Sequence, residues 1–386
     1  MSPRERLYAV ACAAMFVFGM ILVLPGTVLG QPETIAQFGL SLADRGLLIS
    51  ALFTGLLVGS FASAPVVDGL GPRRALAMSS LLVAICLPLV AAATTGPLAA
   101  VAFGALGVAA ASINTASNAL SSDLFPAERG RRMNGIAILV GLGGLALPAV
   151  TVLVSGFFTW RAVAVAGGVL AAAVAAVGLR LDGLEEAAGP TVSPLAALRR
   201  FAREPGFGWF CLLIMLGGGN EASASGWTSS FLELSGFSPE ASTWGLASLW
   251  VGFIVSRVLF FRRVDRDKPG VIVLSAVCGT ACVLVMAGVR AAPVLAVMPF
   301  CLGMALALVM PTALALAGER YPGSPGVLFG VLLTLAQVGG MALPAAIGAV
   351  AERAGIRAGL TLVAGSCALV VLSVLALSRP VRGVPG

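Results

Sequence analysis

Twelve apolar segments, each about as long as a bilayer requires of a helix, follow one another along the 386-residue chain. Lipid offers no hydrogen-bond partners to open backbone groups, so segments of this kind cross a membrane as helices. We predict spans at residues 7–30, 44–66, 75–94, 98–121, 133–157, 160–180, 207–232, 242–262, 270–289, 293–315, 327–350 and 357–378. The predicted fold class is therefore an all-α membrane protein with twelve transmembrane helices.

The charged residues lie mostly between the apolar segments and predict how the chain is oriented. They make up 11% of the chain, against roughly 25% in a soluble domain. The net charge of +7 comes from cations in short loops and does not indicate a nucleic-acid partner. An even number of spans places both termini on one side, and 19 of the 24 Lys and Arg residues fall on that side. We therefore expect both termini in the cytoplasm. The dominance of Arg over Lys indicates a bacterium, hence its inner membrane.

The longest connection between spans, residues 181–206, divides the chain into six spans and six spans. Residues 193–203 within it have apolar side chains spaced for one helix face, after a Ser-Pro pair typical of a helix start. We predict a short amphipathic cytoplasmic helix there. The predicted domains are residues 1–181, a linker at 182–206, and residues 207–386.

The two halves repeat at an offset of 196 residues, and the positions of Pro and Gly survive the shift. The pairs are Phe125-Pro126 with Tyr321-Pro322, Gly130 with Gly326, Gly143-Gly144 with Gly339-Gly340, and Leu147-Pro148 with Leu343-Pro344. Parallel repeats of six spans are typical of the major facilitator type, in which two pseudo-symmetric six-helix bundles enclose a midplane site.

The loop after the second span resembles the Gly-x-x-x-Asp-Arg-x-Gly-Arg-Arg motif of the major facilitator superfamily. Asp68, Gly71 and Arg73 match it, whereas Gly69 and Pro72 stand where the family has arginines. The resemblance implies a charge latch that favours the outward-facing state. The residues implied for this latch are Asp68, Gly71, Arg73, Arg257 and Glu319. For Arg257, the alternative is that its side chain only extends to the lipid headgroups.

Two stretches are similar to the fucose permease branch of that superfamily and to the related sodium-dependent glucose transporters. One runs from Glu221 to Trp227 in the seventh span, and the other from Asn114 to Leu120 in the fourth. The resemblance implies that helices 1, 4, 7 and 10 line the cavity, and it favours a sugar-like solute.

Glu221 is the one acidic residue that we place at the centre of a span, directly after Gly217, Gly218 and Gly219. A carboxylate at that depth costs on the order of 2.5–3.5 kcal/mol, so it is expected to face a bundle interior or a wet cavity. We interpret it as the group that couples transport to an ion. The alternative is a structural residue that hydrogen-bonds a neighbouring helix.

Other polar residues within the spans predict a site for a small hydroxylated solute. Asn114 and Asn118 share a helix face, and an indole offers a surface on which a sugar ring can stack. The predicted solute-binding residues are Asn114, Asn118, Asn220, Glu221, Trp227, Thr312, Thr334 and Gln337. The alternative is that the two asparagines only join helices.

The predicted function is secondary active transport of a small polar organic solute, with H⁺ or Na⁺ as the coupling ion. Proton-coupled export of amphipathic drugs or lipids is one alternative, and a receptor or scaffold that no longer transports is another. No enzyme activity is expected, since the chain has neither a nucleotide-binding loop nor any His to pair with a nucleophile. We expect no cofactor and no metal, and a monomer in the bilayer.

Overall fold

The computed structural model describes residues 2–125, 128–181, 201–204, 206–264, 266–321 and 325–378. The side chains of residues 64, 65, 68, 129–131, 134, 261–264 and 325–327 lie outside that description. The first half contains α1 (Pro3–Leu29), α2 (Pro32–Phe38), α3 (Leu42–Leu70), α4 (Pro72–Ala92), α5 (Gly96–Leu124), α6 (Arg129–Leu153) and α7 (Trp160–Arg180). The second half contains α8 (Phe207–Leu234), α9 (Pro239–Val264), α10 (Lys268–Gly288), α11 (Ala292–Leu306), α12 (Val309–Arg320), α13 (Pro325–Ala354) and α14 (Ile356–Leu377).

The described helices confirm the predicted all-α membrane fold. Within the described residues, eleven candidate spans are long and apolar enough to cross a membrane, with α11 and α12 together forming one of them. The 28-residue helix α8 is not among the eleven. Its second half, from Asn220 to Ser230, is rich in polar side chains, and nearly all of these are buried against other helices. With α8 at the seventh position the count is twelve.

Two elements differ from the sequence prediction. The short helix α2 follows α1 where we expected a loop, and it ends at Gly39 in a left-handed conformation. The tenth span was expected to be one continuous helix, but it is interrupted at Ala307 and Leu308 between α11 and α12. Pro311 explains the interruption, because a proline nitrogen has no hydrogen to donate to the carbonyl four residues earlier, that of Ala307.

The repeat places glycines at the tightest helix crossing of each bundle. In the first bundle a Cβ on Gly143 of α6 would come within 1.9 Å of the Phe16 carbonyl oxygen on α1. In the second bundle a Cβ on Gly339 of α13 would come within 1.7 Å of the Met215 carbonyl oxygen on α8. Only glycine permits such an approach of two backbones. Gly143 and Gly339 are related by the 196-residue offset. The sequence repeat therefore corresponds to equivalent helix crossings in the two bundles.

Two arginines at the same offset anchor the outer helices of both bundles. Arg161, at the start of α7, donates to the carbonyls of Ala91 and Ala93 at the end of α4. Arg357, at the start of α14, donates to Met286 and Val289 at the end of α10, at 2.8 and 2.6 Å. Each cation satisfies carbonyls that a helix end leaves unpaired. This symmetric pair was not among our predicted residues.

Among the described residues, the hydrogen bonds between the two bundles lie toward one end of the molecule. We call the other end, which carries the loops after α3, α5, α7, α9 and α12, the basic end. The hydrogen bonds between described residues of the two bundles lie away from it. They join Ser229 to Gly26, Ser230 to Leu29, Gln31 to Thr243, Ala43 to Glu352 and Ser50 to Met341. At mid-depth Trp250 packs against Gly144. Among the described residues, the hydrogen bonds between the bundles are thus confined to the end opposite the basic end.

Candidate functional site

Glu221 lies midway along α8, in the space between the bundles. Its side chain is partly exposed, and no hydrogen bond or ion pair reaches its carboxylate from the residues that the structure describes. The predicted coupling role of Glu221 stays a prediction. A purely structural role would require a hydrogen bond to a neighbouring helix, and none is present among the described contacts.

Arg257 of α9 is the cation that acts on Glu221. Its guanidinium attracts the Glu221 carboxylate electrostatically, although no ion pair joins the two groups. Arg257 Nε donates to the Ala307 carbonyl over a long 3.5 Å, and its guanidinium carbon lies 5.7 Å from the Phe253 ring centre. Glu221 and Arg257 are therefore opposite charges that interact without direct contact.

Four of the predicted solute-binding residues besides Glu221 are partly exposed, on α5 and α13. Asn118 donates through Nδ2 to Asn114, at 2.8 Å to the carbonyl and 2.9 Å to Oδ1. The Nδ2 donors of Asn114 remain available. Thr334 donates to its own helix at Gly330, while Gln337 has no partner among the described residues. These amides can form hydrogen bonds with the hydroxyl or carboxyl groups of a solute.

Three other predicted solute-binding residues are buried in this conformation. Trp227 is fully buried, and its Nε1 donates to the Pro344 carbonyl at 3.3 Å. Asn220 is 2% exposed and donates to Cys367 Sγ at 3.4 Å. Thr312 is fully buried as well. In this conformation the Trp227 ring presents no face to a solute, so the predicted stacking surface is absent.

The loop between α3 and α4 shows a structural reason for two of its matched residues. Gly71 has a φ of 78°, which side chains other than glycine rarely adopt. Arg73 donates to Gly178 and Leu181 at the end of α7, at 3.2 and 2.7 Å. The side chain of Asp68 lies outside the described residues, so its predicted latch role stays a prediction.

The other two residues implied for the latch do not meet in this conformation. Glu319 at the end of α12 pairs with Lys268 at the start of α10, at 3.0 Å. Arg257 is directed at Ala307 and Glu221 instead. A latch between Arg257 and Glu319 would therefore need another conformational state, and the structure gives Arg257 a place in the cavity that the sequence did not indicate.

An ion pair that the sequence analysis missed closes the end opposite the basic loops. Arg45 Nη1 of α3 lies 3.6 Å from Glu233 Oε2 of α8, and so links the two bundles. Arg45 is 8% exposed. The only signal in the sequence is that each is a charged residue near the end of a span. We call this pair the outer ion pair.

We expect the outer ion pair to stabilise the present conformation, in which α3 and α8 meet at the end opposite the basic end. Glu233→Gln leaves Arg45 buried without a counter-charge, which costs about 1–3 kcal/mol and shifts the equilibrium toward the alternative state about 5- to 150-fold. Phe157 and Arg290 are exposed residues on outer loops of different bundles and can carry spin labels. Pulsed electron paramagnetic resonance should measure a longer distance between these labels in Glu233→Gln than in the wild type.

The control for this experiment is Glu240→Gln, which removes an exposed carboxylate from the first turn of α9. The double variant Arg45→Glu with Glu233→Arg should restore the original distance. An unchanged distribution in Glu233→Gln would remove the outer ion pair from conformational control.

Comparison with known proteins agrees with this architecture. The family model described as Major Facilitator Superfamily matches residues 7–344. The chain belongs to the major facilitator superfamily. A search of curated proteins returned no match. The similarity to the fucose permease branch is a finer prediction that these comparisons leave open.

Solved structures of this superfamily share the fold across nearly the whole chain. The nucleoside transporter NupG has a TM-score of 0.75 at 16% identity, over 98% of this chain and 100% of its own. A D-xylose–proton symporter has a TM-score of 0.78 at 13% identity, over 98% of each chain. A bacterial homologue of the human lysosomal transporter Spinster, in an inward-facing conformation, has a TM-score of 0.72 at 15% identity, over 97% and 98%. At these identities the likeness establishes the fold of this superfamily member.

Proposed function

We propose that this transporter couples the movement of a small polar organic solute to protons, with Glu221 as the group that binds and releases the proton. The observation that carries the proposal is a partly exposed carboxylate midway along α8 for which the described residues supply no hydrogen bond. An isolated carboxylate in such surroundings is costly unless it is protonated or balanced by a cation. The surroundings of Glu221 differ between the conformational states, so the cost of its ionised form differs as well. Each state therefore binds the proton with a different affinity.

The transport cycle follows from the way the bundles meet. When the contacts at Gly26, Leu29 and the outer ion pair are closed, the cavity is reached from the basic end. Rocking of the two bundles breaks these contacts and exposes the same cavity to the other side. Two structural neighbours are a D-xylose–proton symporter and a nucleoside transporter, and their solutes support a hydroxylated solute for this transporter as well. Asn114, Asn118 and Gln337 supply amide groups suited to hydroxyls.

The test is gradient-driven uptake by proteoliposomes that contain the purified protein. A panel of radiolabelled sugars, nucleosides and sugar acids is offered with and without an imposed proton gradient, and protein-free liposomes serve as the control. We expect at least one member to accumulate above its external concentration only when the gradient is present. Flux that follows a sodium gradient instead would contradict the choice of ion. Absence of flux for every member would favour a scaffold or receptor.

A second candidate function is supported by one observation. A cavity of about 720 Å³ lies between α3, α5 and α13, with Leu47, Val58, Ala100 and Val108 among its lining residues. Leu47 and Val58 are 57% and 55% exposed, so the cavity is open sideways toward the bilayer. An apolar opening of this kind suits an amphipathic drug or lipid that enters from the membrane.

A transport assay with a lipophilic cation distinguishes the two candidate functions. Tetraphenylphosphonium should be expelled from energised cells only if the lateral cavity is the route, and Ala100→Trp should then reduce the expulsion. Under the polar-solute proposal neither result is expected, and Ala100→Trp leaves solute uptake close to that of the wild type.

A further inference from the structure

The position of Arg257 opposite Glu221 bears on the charge of the solute. We propose that Arg257 binds an anionic group of the solute, so that the transported molecule is a small hydroxylated carboxylate such as a sugar acid. This inference rests on the proposed function, since it treats the space between the bundles as the solute site.

The directions of the two helices bring the charges toward each other. Helix α8 begins at the basic end and α9 ends there. Because helical side chains lean toward the N-terminus of their own helix, Glu221 leans toward the basic end and Arg257 leans away from it. Among the described charged residues, Arg257 is the one that acts on Glu221. The two side chains converge without pairing, which leaves a gap between them.

The interruption of the tenth span determines how Arg257 is held. Pro311 cannot donate to the Ala307 carbonyl, and Arg257 Nε takes up that free acceptor at 3.5 Å. The two Nη nitrogens have no partner among the described residues and are not enclosed by the protein. A guanidinium held through Nε presents a planar pair of donors that matches a carboxylate with two hydrogen bonds.

Charge balance then links the proton to the anion. While Glu221 is ionised, it offsets the charge of Arg257 across the gap. When Glu221 binds a proton, Arg257 is left as an uncompensated cation within the membrane, which is unfavourable. A solute carboxylate restores the balance, and the partly exposed amides of Asn114 and Gln337 are suited to hydroxyl groups. Proton and anion therefore enter the cavity together.

The test compares matched acids and neutral polyols as ligands of the purified protein. D-gluconate is paired with D-sorbitol, and D-glucuronate with D-glucose, with affinities measured by isothermal titration calorimetry. We expect an acid to bind at least about tenfold more tightly than its neutral partner. Arg257→Gln should remove that preference, and Arg257→Lys should keep part of it, because the charge remains but the planar donor pair is lost.

Two further variants separate this role from a structural one. Glu221→Gln removes the competing carboxylate, so it should raise acid affinity, opposite in sign to Arg257→Gln. Arg290→Gln removes a cation from the exposed turn between α10 and α11 and should change nothing. Thermal unfolding without ligand verifies that each variant is folded.

The outcomes distinguish this inference from the function on which it rests. Equal binding of acids and polyols, or no binding of either acid, overturns the inference. Polyols that still accumulate with a proton gradient would leave the proposed function standing. Acids that bind through Arg257 but are not transported would support the anion subsite and contradict the proposed function.

Discussion

Gly339→Ala is expected to prevent the second bundle from packing. The added methyl carbon would come 1.7 Å from the Met215 carbonyl oxygen, and both atoms belong to, or are fixed by, helix backbones. Since neither can move alone, α13 and α8 must separate along their crossing. Overpacking typically costs about 1–3 kcal/mol and occasionally more, and a backbone contact this short is expected to lie at the upper end of that range. We expect a large loss of monodisperse protein in detergent and a clearly lower melting temperature by fluorescence-detected gel filtration.

The matched control is Gly330→Ala in the same helix. A Cβ at Gly330 meets no atom within 4 Å, and alanine favours a helix over glycine by about 1 kcal/mol. This variant should be as stable as the wild type or slightly more so. Similar behaviour of the two variants would contradict the crossing at Gly339.

The membrane fold could be predicted from the sequence because two of its causes are local. Segment length and hydropathy identify spans, and glycines such as Gly143 and Gly339 mark close backbone crossings at one offset. The predicted all-α membrane fold of the major facilitator type is confirmed, with eleven apolar spans among the described residues and α8 as the candidate for the twelfth. The helix α2 and the break before Pro311 were missed, since short polar helices and single missing hydrogen bonds leave little trace in hydropathy.

The orientation of side chains around each helix could not be predicted in the same way. A membrane helix is apolar on most of its sides, so its pattern gives little indication of which face meets the cavity. The sequence analysis assigned Glu221 and Trp227 to one site. Because they are six residues apart, their side chains lie on different faces of α8, and Trp227 is buried. The outer ion pair between Arg45 and Glu233 depends on which helices meet, which hydropathy does not show.

Glu221→Gln is expected to abolish gradient-driven accumulation while preserving solute exchange. Glutamine has nearly the shape of glutamic acid and cannot release a proton, so it resembles the protonated state permanently. The solute site retains Asn114, Gln337 and Arg257, and binding should persist. A carrier without proton release can only equalise the solute concentrations on the two sides, because no free energy from the proton gradient reaches the solute.

The most direct measurement of the central claim is uptake by paired proteoliposomes containing wild-type protein or Glu221→Gln. Both are assayed with the transported solute under an imposed proton gradient and, separately, for exchange of labelled against unlabelled solute without one. The account predicts accumulation by wild type alone and comparable exchange by both. Gradient-driven accumulation by Glu221→Gln at the wild-type level would contradict it.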